Sequence, residues 1–271
     1  MTIDAVDKVF AGSIPRLYEE CLVPLIFEPY ARDLAARLAS RPPARILEIA
    51  AGTGVLTRAM AAALPASSAI VATDLNGPML ECARGIGTAR PVEWREADAM
   101  ALPFDDGAFD AIACQFGVMF FPDKRAAFSE ARRVLRPGGL LAFSVWDRIE
   151  ENEFADVVTA ALARVFPHDA PRFLARTPHG YHDEEAIRAD LAKAGFRGRV
   201  EFDTVPGRSR ADSPRIPAIA YCQGTPLRNE IEARDASGLA EATRVAADAI
   251  ARRFGRGPVD GKIQAHVVRV T

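Results

Sequence analysis

Short apolar runs alternate along the chain with longer stretches in which apolar residues recur every three or four positions. Ile46-Leu47-Glu48-Ile49, Ala69-Ile70-Val71-Ala72-Thr73, Ala111-Ile112-Ala113-Cys114 and Leu140-Leu141-Ala142-Phe143-Ser144-Val145 read as strands buried on both faces of a parallel sheet. Val92-Glu93-Trp94 is a shorter strand-like stretch. Leu56, Met60 and Leu64 predict a helix after the first strand, and Leu17, Leu22, Leu25, Ile26, Tyr30, Leu34 and Leu38 predict an amphipathic helix or helix pair before it, ended by Arg41-Pro42-Pro43. The helix ahead of Leu140 is expected to stop at Pro137-Gly138-Gly139. Further on, Asp183 caps a helix carrying Ile187 and Leu191 and closed by Gly195, Val200 to Val205 alternate as a strand, and Ile263 to Val270 form a last one. The roughly 57 residues between those two strands exceed what a hairpin needs and must hold structure of their own. Leu239, Ala242, Ala246, Ile250 and Phe254 make one helical stripe there.

Strands alternating with helices predict an α/β fold: a Rossmann-like, doubly wound, mostly parallel seven-stranded sheet with N-terminal helices and a helical cap inserted before the last strand. The chain, 1–271, reads as one domain. It divides into a helical lead-in over 1–42, a ligand-binding core over 43–147, cap segments over 148–182 and 207–261, and the rest of the sheet over 183–206 and 262–271. Apolar residues make up 49% and charged residues 26%, a globular balance. No apolar run approaches the roughly 18 residues needed to cross a bilayer. The opening Met1 to Asp7 carries acids and no export pattern, so a cytoplasmic location is expected. With 34 basic against 36 acidic residues, the broad attraction to phosphate backbones is missing, and a small molecule is expected as partner rather than nucleic acid. A homo-oligomer is left open. Cys21, Cys82, Cys114 and Cys222 form no C-x-x-C pair, so no metal site and no disulfide framework is expected.

The chemistry begins at Ala50-Ala51-Gly52-Thr53-Gly54, which turns the first strand directly into a helix. Such a turn presents backbone N–H groups and the positive helix end at the carboxyl edge of the sheet. Gly52 and Gly54 allow close approach and positive φ, as they would in a purely structural turn. Asp74, twenty residues past Gly54 at the end of the second strand, is placed to accept hydrogen bonds from two ribose hydroxyls. Its other role would be to cap the next helix through Asn76-Gly77-Pro78. Asp98, after the third strand on the same edge, can accept an adenine amino proton or stand in solvent.

Glu48-Ile49-Ala50-Ala51-Gly52-Thr53-Gly54 resembles the first motif of class I S-adenosylmethionine-dependent methyltransferases, with Asp74 at the position of their ribose-binding acid. The likeness continues through Asp98-Ala99-Met100-Ala101-Leu102-Pro103-Phe104, Phe109-Asp110-Ala111 and Glu130-Ala131-Arg132-Arg133-Val134-Leu135-Arg136-Pro137-Gly138-Gly139. The close of that last segment is frequent in the ubiquinone/menaquinone-biosynthesis-like branch. The resemblance covers residues 44–146 and implies S-adenosyl-L-methionine as cofactor. It also implies that Gly52 and Gly54 pass the methionine part, Asp74 binds ribose, Leu75, Asn76 and Met79 flank the nucleoside, and Asp98 with Ala99 frames adenine. Glu48 would order the turn and, through water, the ligand's ammonium end; Gln115 would face the methyl donor and Tyr18 would close over it. Ala50 departs from the pattern by replacing the first glycine of the turn, and an alanine is accommodated there if φ is negative.

Methyl transfer from a sulfonium is an in-line displacement in which much of the catalysis is positioning. An acceptor of high pKa also requires a base. Of His168, His179, His182 and His266, the catalytic candidates are His179 and His182, although a solvated lead-in to the Asp183 helix is their plainer role. His266 alternates within an apolar strand as a structural histidine would. Phe116, Met119, Phe120 and Phe121 either line an apolar acceptor pocket or pack the core. The apolar helices of the insertion favour an uncharged or aromatic small-molecule acceptor. Two other readings share parts of this pattern. An NAD(P)-dependent oxidoreductase would keep the glycine turn and ribose acid, but Thr57 stands where its third glycine belongs. A non-catalytic S-adenosylmethionine-binding protein would keep the nucleoside site without an acceptor pocket.

Overall fold

The computed structural model describes Asp7 and residues 9–271. Helices α1 (Ile14–Leu17) and α2 (Glu28–Ala39) flank a π-helical segment (Tyr18–Phe27) and lead into β1 (Arg45–Ile49). There follow α3 (Val55–Ala63), β2 (Ala69–Asp74), α4 (Gly77–Ile86), β3 (Glu93–Glu96), β4 (Phe109–Gln115), α5 (Lys124–Val134) and β5 (Leu135–Trp146). The second half runs α6 (Glu153–Val165), α7 (Phe173–Arg176), α8 (Glu184–Lys193), β6 (Val200–Ala211), α9 (Arg215–Gln223), α10 (Leu227–Arg234), α11 (Leu239–Phe254) and β7 (Val259–Val270).

The strands form one seven-stranded sheet in the order β3-β2-β1-β4-β5-β7-β6. Pairing is parallel from β3 to β5 and antiparallel for β7 with both of its neighbours. This is the Rossmann-like sheet the sequence predicts. Strand order reverses between β1 and β4, and the loops leaving their carboxyl ends diverge there to open a crevice.

Period-two alternation sorts the core onto the two faces of the sheet. Ile46, Ile70, Ala111, Ala113 and Ala142 pack with Leu34 and Leu38 of α2 and Leu56 and Met60 of α3. Their neighbours Leu47, Ile49, Val71, Ile112, Phe143 and Val145 join Phe128 of α5, Ile187 and Leu191 of α8 and the helices inserted later. Each large side chain so buried contributes about 1.5–3 kcal/mol. Asp183 caps α8 as expected, accepting from the N–H groups of Glu185 and Ala186, and Asp123 caps α5 in the same way at Ala126. No helix among the described residues is long and apolar enough to cross a membrane.

Three elements differ from expectation. The lead-in stripe, read as α-helical, is a ten-residue π-helix over Tyr18–Phe27 with Pro24 inside it. Proline has no N–H for the helical ladder and disrupts the α pattern around it, and π turns of this kind concentrate at functional sites. Second, α5 ends at Val134, and Pro137-Gly138-Gly139 lies inside β5 instead of terminating a helix. The register passes from Phe109 opposite Leu135 to Ala111 opposite Leu140, so residues 136–139 bulge from the ladder. Gly138 takes φ 73° in that bulge, and a Cβ on Gly139 would lie 2.6 Å from Leu135 Cδ1 and 2.9 Å from Asp110 O. Third, β6 and β7 pair along twelve residues each, well past the predicted Val205 and Ile263. The extension carries Arg208, Arg210 and Asp260, paired with one another on the sheet edge, and such charges conceal the apolar alternation of a strand.

Candidate active site

The chain turns as soon as β1 ends. Ala50, Gly52 and Gly54 take φ values of 57°, 57° and 84°, and Ala51 N–H donates to Thr73 O at 2.8 Å, tying the turn to β2. Gly52 N–H then donates to Asp74 Oδ2 at 2.8 Å, while Asp74 Oδ1 accepts from Asn76 N–H at 2.8 Å. Asp74 therefore bridges the loops that follow β1 and β2. It is 7% exposed, and burial raises its pKa against the lowering effect of those N–H groups.

Ala50 shows that the positive φ of this turn is set by the fold, since the negative φ expected for an alanine is not found. The left-handed region costs an L-residue about 1–2 kcal/mol. Close packing holds it there: a Cβ on Gly117 would come 2.5 Å from Ala50 Cβ and 2.7 Å from Cys114 Sγ. Phe116, at φ 52°, is the other non-glycine residue in this conformation among the described residues; it follows the carboxyl end of β4 and lines the same cavity as Ala50.

Two of the expected contact residues, Glu48 and Gly54, lie outside the cavity that the other predicted positions line. Glu48 lies beneath the turn, 1% exposed, and accepts from Thr57 Oγ1 at 2.5 Å. Burial pushes its pKa up to about 8, with the Thr57 bond and Arg58 opposing. Gly54 starts α3 and faces the protein; a Cβ there would sit 2.9 Å from Trp94 Cη2 and 3.2 Å from Ala83 Cβ. The packing of α3 against Trp94 and Ala83 therefore requires glycine here.

The other predicted positions converge. Tyr18, Ala50, Gly52, Asp74, Leu75, Asn76, Met79, Asp98, Ala99 and Gln115 line one cavity of about 110 Å³ at the carboxyl edge of the sheet. Asp98 Oδ1 accepts from Met100 N–H at 2.9 Å, which orients the carboxylate and leaves its other oxygen uncommitted. Gln115 Nε2 donates to Phe27 O at 3.2 Å, whereas its Oε1 is buried without a hydrogen-bond partner. Phe10, Ile49, Ala97, Met100 and Gly117 also line the cavity and were not anticipated. Phe10 precedes every periodic stretch of the sequence, so no pattern marks it. Its N–H lies 3.4 Å from Asn76 Oδ1, and its ring meets Tyr18 and Phe120 edge-on.

A second cavity, of about 60 Å³, shares Phe10, Tyr18, Phe116 and Phe120 with the first. Tyr18, Leu22 and Ile26 enter its wall from the π-helix at four-residue steps, Phe173 and Leu174 from α7, and Tyr221 from α9. Phe116 lies flat on Trp146 at 3.9 Å and 5°, and Tyr18 stacks on Phe27 at 5.0 Å. Among the described residues, none that lines this cavity carries a formal charge at neutral pH. Burial raises the Tyr18 pKa, so its hydroxyl stays protonated.

The histidines separate here. His179, expected in a solvated lead-in, is 5% exposed and lines the second cavity, with Nδ1 2.9 Å from Asp147 O. Burial pushes its pKa down to about 4. His182 does not reach the cavity; its Nδ1 lies 2.9 Å from His179 O. His266 is a structural histidine on β7, with Thr204 Oγ1 at 3.0 Å from Nδ1 and Asp147 Oδ1 at 3.3 Å from Nε2. His168 is exposed.

Comparison with known proteins bears on this arrangement. A family model described as a methyltransferase domain matches residues 47–143. A demethylmenaquinone methyltransferase from Thermus thermophilus is 38% identical over 185 residues, covering 64% of this chain and 82% of that protein. A ubiquinone/menaquinone biosynthesis C-methyltransferase from Ectopseudomonas mendocina is 30% identical over 217 residues, covering 75% and 80%. Among solved structures, an S-adenosylmethionine-dependent methyltransferase from Aquifex aeolicus superposes with a TM-score of 0.51 at 20% identity, covering 69% of this chain and 90% of that one.

Proposed function

This chain belongs to the S-adenosylmethionine-dependent methyltransferases, and from that premise we propose that its methyl acceptor is a small, uncharged, hydroxylated aromatic molecule of the quinol type. The observation that carries the proposal is the uncharged aromatic cavity that meets the carboxylate-lined one across Phe10, Tyr18, Phe116 and Phe120. A charged acceptor would find no partner in that wall, and burying it unpaired would be costly. The relatives named for quinone substrates point to the same class.

The first cavity fits the donor. Bound there, S-adenosylmethionine supplies a methyl carbon on a sulfonium centre, open to in-line attack. Asp74 Oδ2 accepts from Gly52 N–H alone and keeps a lone pair for one ribose hydroxyl, while Oδ1 accepts from Asn76 N–H and, at 3.3 Å, from Asn76 Nδ2, the longer bond that in this reading gives way to the second hydroxyl. Asp98 and Ala99 frame the adenine, Leu75, Asn76 and Met79 flank the nucleoside, and Gly52 leaves room beside the methionine part. The unpartnered Gln115 Oε1 accepts a hydrogen bond from the donor's polar end, and Tyr18 covers the junction with the acceptor. Glu48 acts at one remove, pinning the start of α3 through Thr57, the position where a dinucleotide fingerprint would have its third glycine. Holding both reactants across a shared aromatic wall turns a bimolecular encounter into a positioned one, which is the main contribution the chain can make to such a displacement.

Incubation with methyl-labelled donor and a chemically reduced, side-chain-bearing naphthoquinone tests the proposal. The expected product is the aromatic compound heavier by one methyl group. Label appearing only in RNA or protein would contradict it.

A further inference from the structure

The aromatic cavity excludes charge but is not blind to hydrogen bonding. Two polar side chains in its wall, His179 at 5% exposure and Tyr221 at 4%, each hold a polar atom with no partner among the described residues. His179 Nδ1 faces Asp147 O, and a backbone carbonyl can only accept, so Nδ1 carries the ring proton. Nε2 of the neutral ring is then a bare acceptor. The neighbouring carboxylate does not charge this ring. Asp147 Oδ1 is taken by Arg148 N–H at 2.7 Å and faces His266 Nε2, and Asp147 Oδ2 accepts from Gln264 Nε2 at 2.6 Å. Burial, which holds the His179 pKa near 4, keeps the imidazole neutral at physiological pH. Opposite in character, the Tyr221 hydroxyl has both a proton to give and lone pairs to offer. Thr225, the hydroxyl one helical turn away, is already engaged with Tyr221 O and Leu227 N–H. Both residues are buried and line the cavity, yet neither atom is sealed away from solvent, so each is open to a ligand in the cavity that offers the missing bond.

Resting on the methyltransferase reading above, we infer that His179 and Tyr221 are specificity-determining contacts that read the acceptor's oxygens. His179 Nε2 accepts a hydrogen bond from an acceptor hydroxyl, and the Tyr221 hydroxyl donates to a second oxygen of the same molecule. The site therefore selects dihydroxyarenes over acceptors of equal shape that have lost an O–H. A site built around a substrate hydroxyl discriminates strongly against the analogue lacking it, because its own buried groups are then left unpaired.

Binding without turnover separates this from differences in chemical reactivity. The protein is saturated with S-adenosylhomocysteine, and dissociation constants are measured for an alkyl-substituted naphthalenediol and for the same alkylnaphthalene without its two oxygens, in the parent, in Tyr221→Phe and in His179→Leu. The parent is expected to favour the diol by at least about tenfold, and each variant to lose most of that preference with S-adenosylhomocysteine affinity unchanged. Tyr221→Phe removes a hydroxyl that bonds nothing in the protein, so its Tm should be unchanged or higher. It therefore stands as the decisive variant if His179→Leu loosens its loop. Equal preference in parent and Tyr221→Phe, with methyl transfer to the diol intact, would overturn the inference and leave the proposed function standing. A parent that binds the nucleoside but neither aromatic compound would remove both.

Discussion

At the residue scale, the site turns on carboxylates whose surroundings give them different tasks. Asp74 lines the cavity at the crossing of two loops, with only Gly52 N–H on its Oδ2, so Asp74→Asn should weaken S-adenosylhomocysteine binding by about 1.5–3 kcal/mol, roughly 10- to 150-fold in the calorimetric dissociation constant. An unchanged constant would remove Asp74 from the donor site. Glu48 is buried and titrates near 8, so the native chain keeps a proton that the unfolded chain, titrating near the ordinary 4.5, has already released. Its ionisation therefore makes the apo protein lose stability as pH rises from about 4.5 to 8. Glu48→Gln should gain stability relative to the parent across that window, by an amount on the order of a few kcal/mol, seen as diverging urea midpoints at pH 5.5 and 8.5. Parallel midpoints would mean that Glu48 is not held protonated. The placement of Asp74, Asp98 and Gly52 at one edge of the sheet was legible from spacing, because a turn and a strand end fix where such residues fall. The burial of Glu48, and its pairing with Thr57, depend on how α3 packs over β1, which no local pattern encodes. The Ala50 backbone was misread for the same reason: its positive φ is imposed by contact with Gly117, a residue far along the chain.

Elements were legible where their signal is periodic and were misread where one residue type has two uses. Strands β1, β2 and β4 were plain as buried apolar runs. Pro137-Gly138-Gly139 carries the punctuation of a helix end but builds a strand bulge, since glycine serves a left-handed bulge residue as well as it serves a C-cap. An apolar stripe at three- and four-residue steps does not distinguish α from π, so the wider turn at Tyr18–Phe27 was hidden until Pro24 was placed. Gly54 illustrates an element-level constraint. It opens α3 in the left-handed region against Trp94, so Gly54→Ala meets both backbone strain and a 2.9 Å approach to the indole. The expected cost is at least about 2 kcal/mol, a fall in Tm of roughly 4–8 °C by calorimetry. A Tm within a degree of the parent would show that α3 shifts freely on the sheet.

Over the whole molecule, parts distant in sequence assemble one wall. The second cavity draws on the N-terminal segment, the π-helix, the end of β5, α7 and α9, so its residues could not be gathered from spacing. Phe10, which lines both cavities, is preceded by Asp7, a fully buried carboxylate that accepts from Arg176 Nη2 at 2.7 Å and Thr177 Oγ1 at 2.6 Å, with Glu230 accepting from the same Arg176 nitrogen at 2.8 Å. This ion cluster fastens the N-terminal segment to α7 and α10. Asp7→Asn should weaken the fastening by about 1.5–3 kcal/mol and speed amide exchange over residues 9–13 while leaving the central strands protected. Exchange as slow as in the parent would mean that Phe10 is held by its aromatic neighbours alone.

The central claim is that two adjoining cavities hold donor and acceptor face to face across an aromatic wall, and a crystal structure with S-adenosylhomocysteine tests it most directly. The nucleoside should lie with its ribose hydroxyls on Asp74 and its adenine beside Asp98, and its sulfur should point toward Phe116 and Phe120, where the second cavity begins. Density for the nucleoside outside that cleft, or a sulfur turned away from the shared wall, would contradict it.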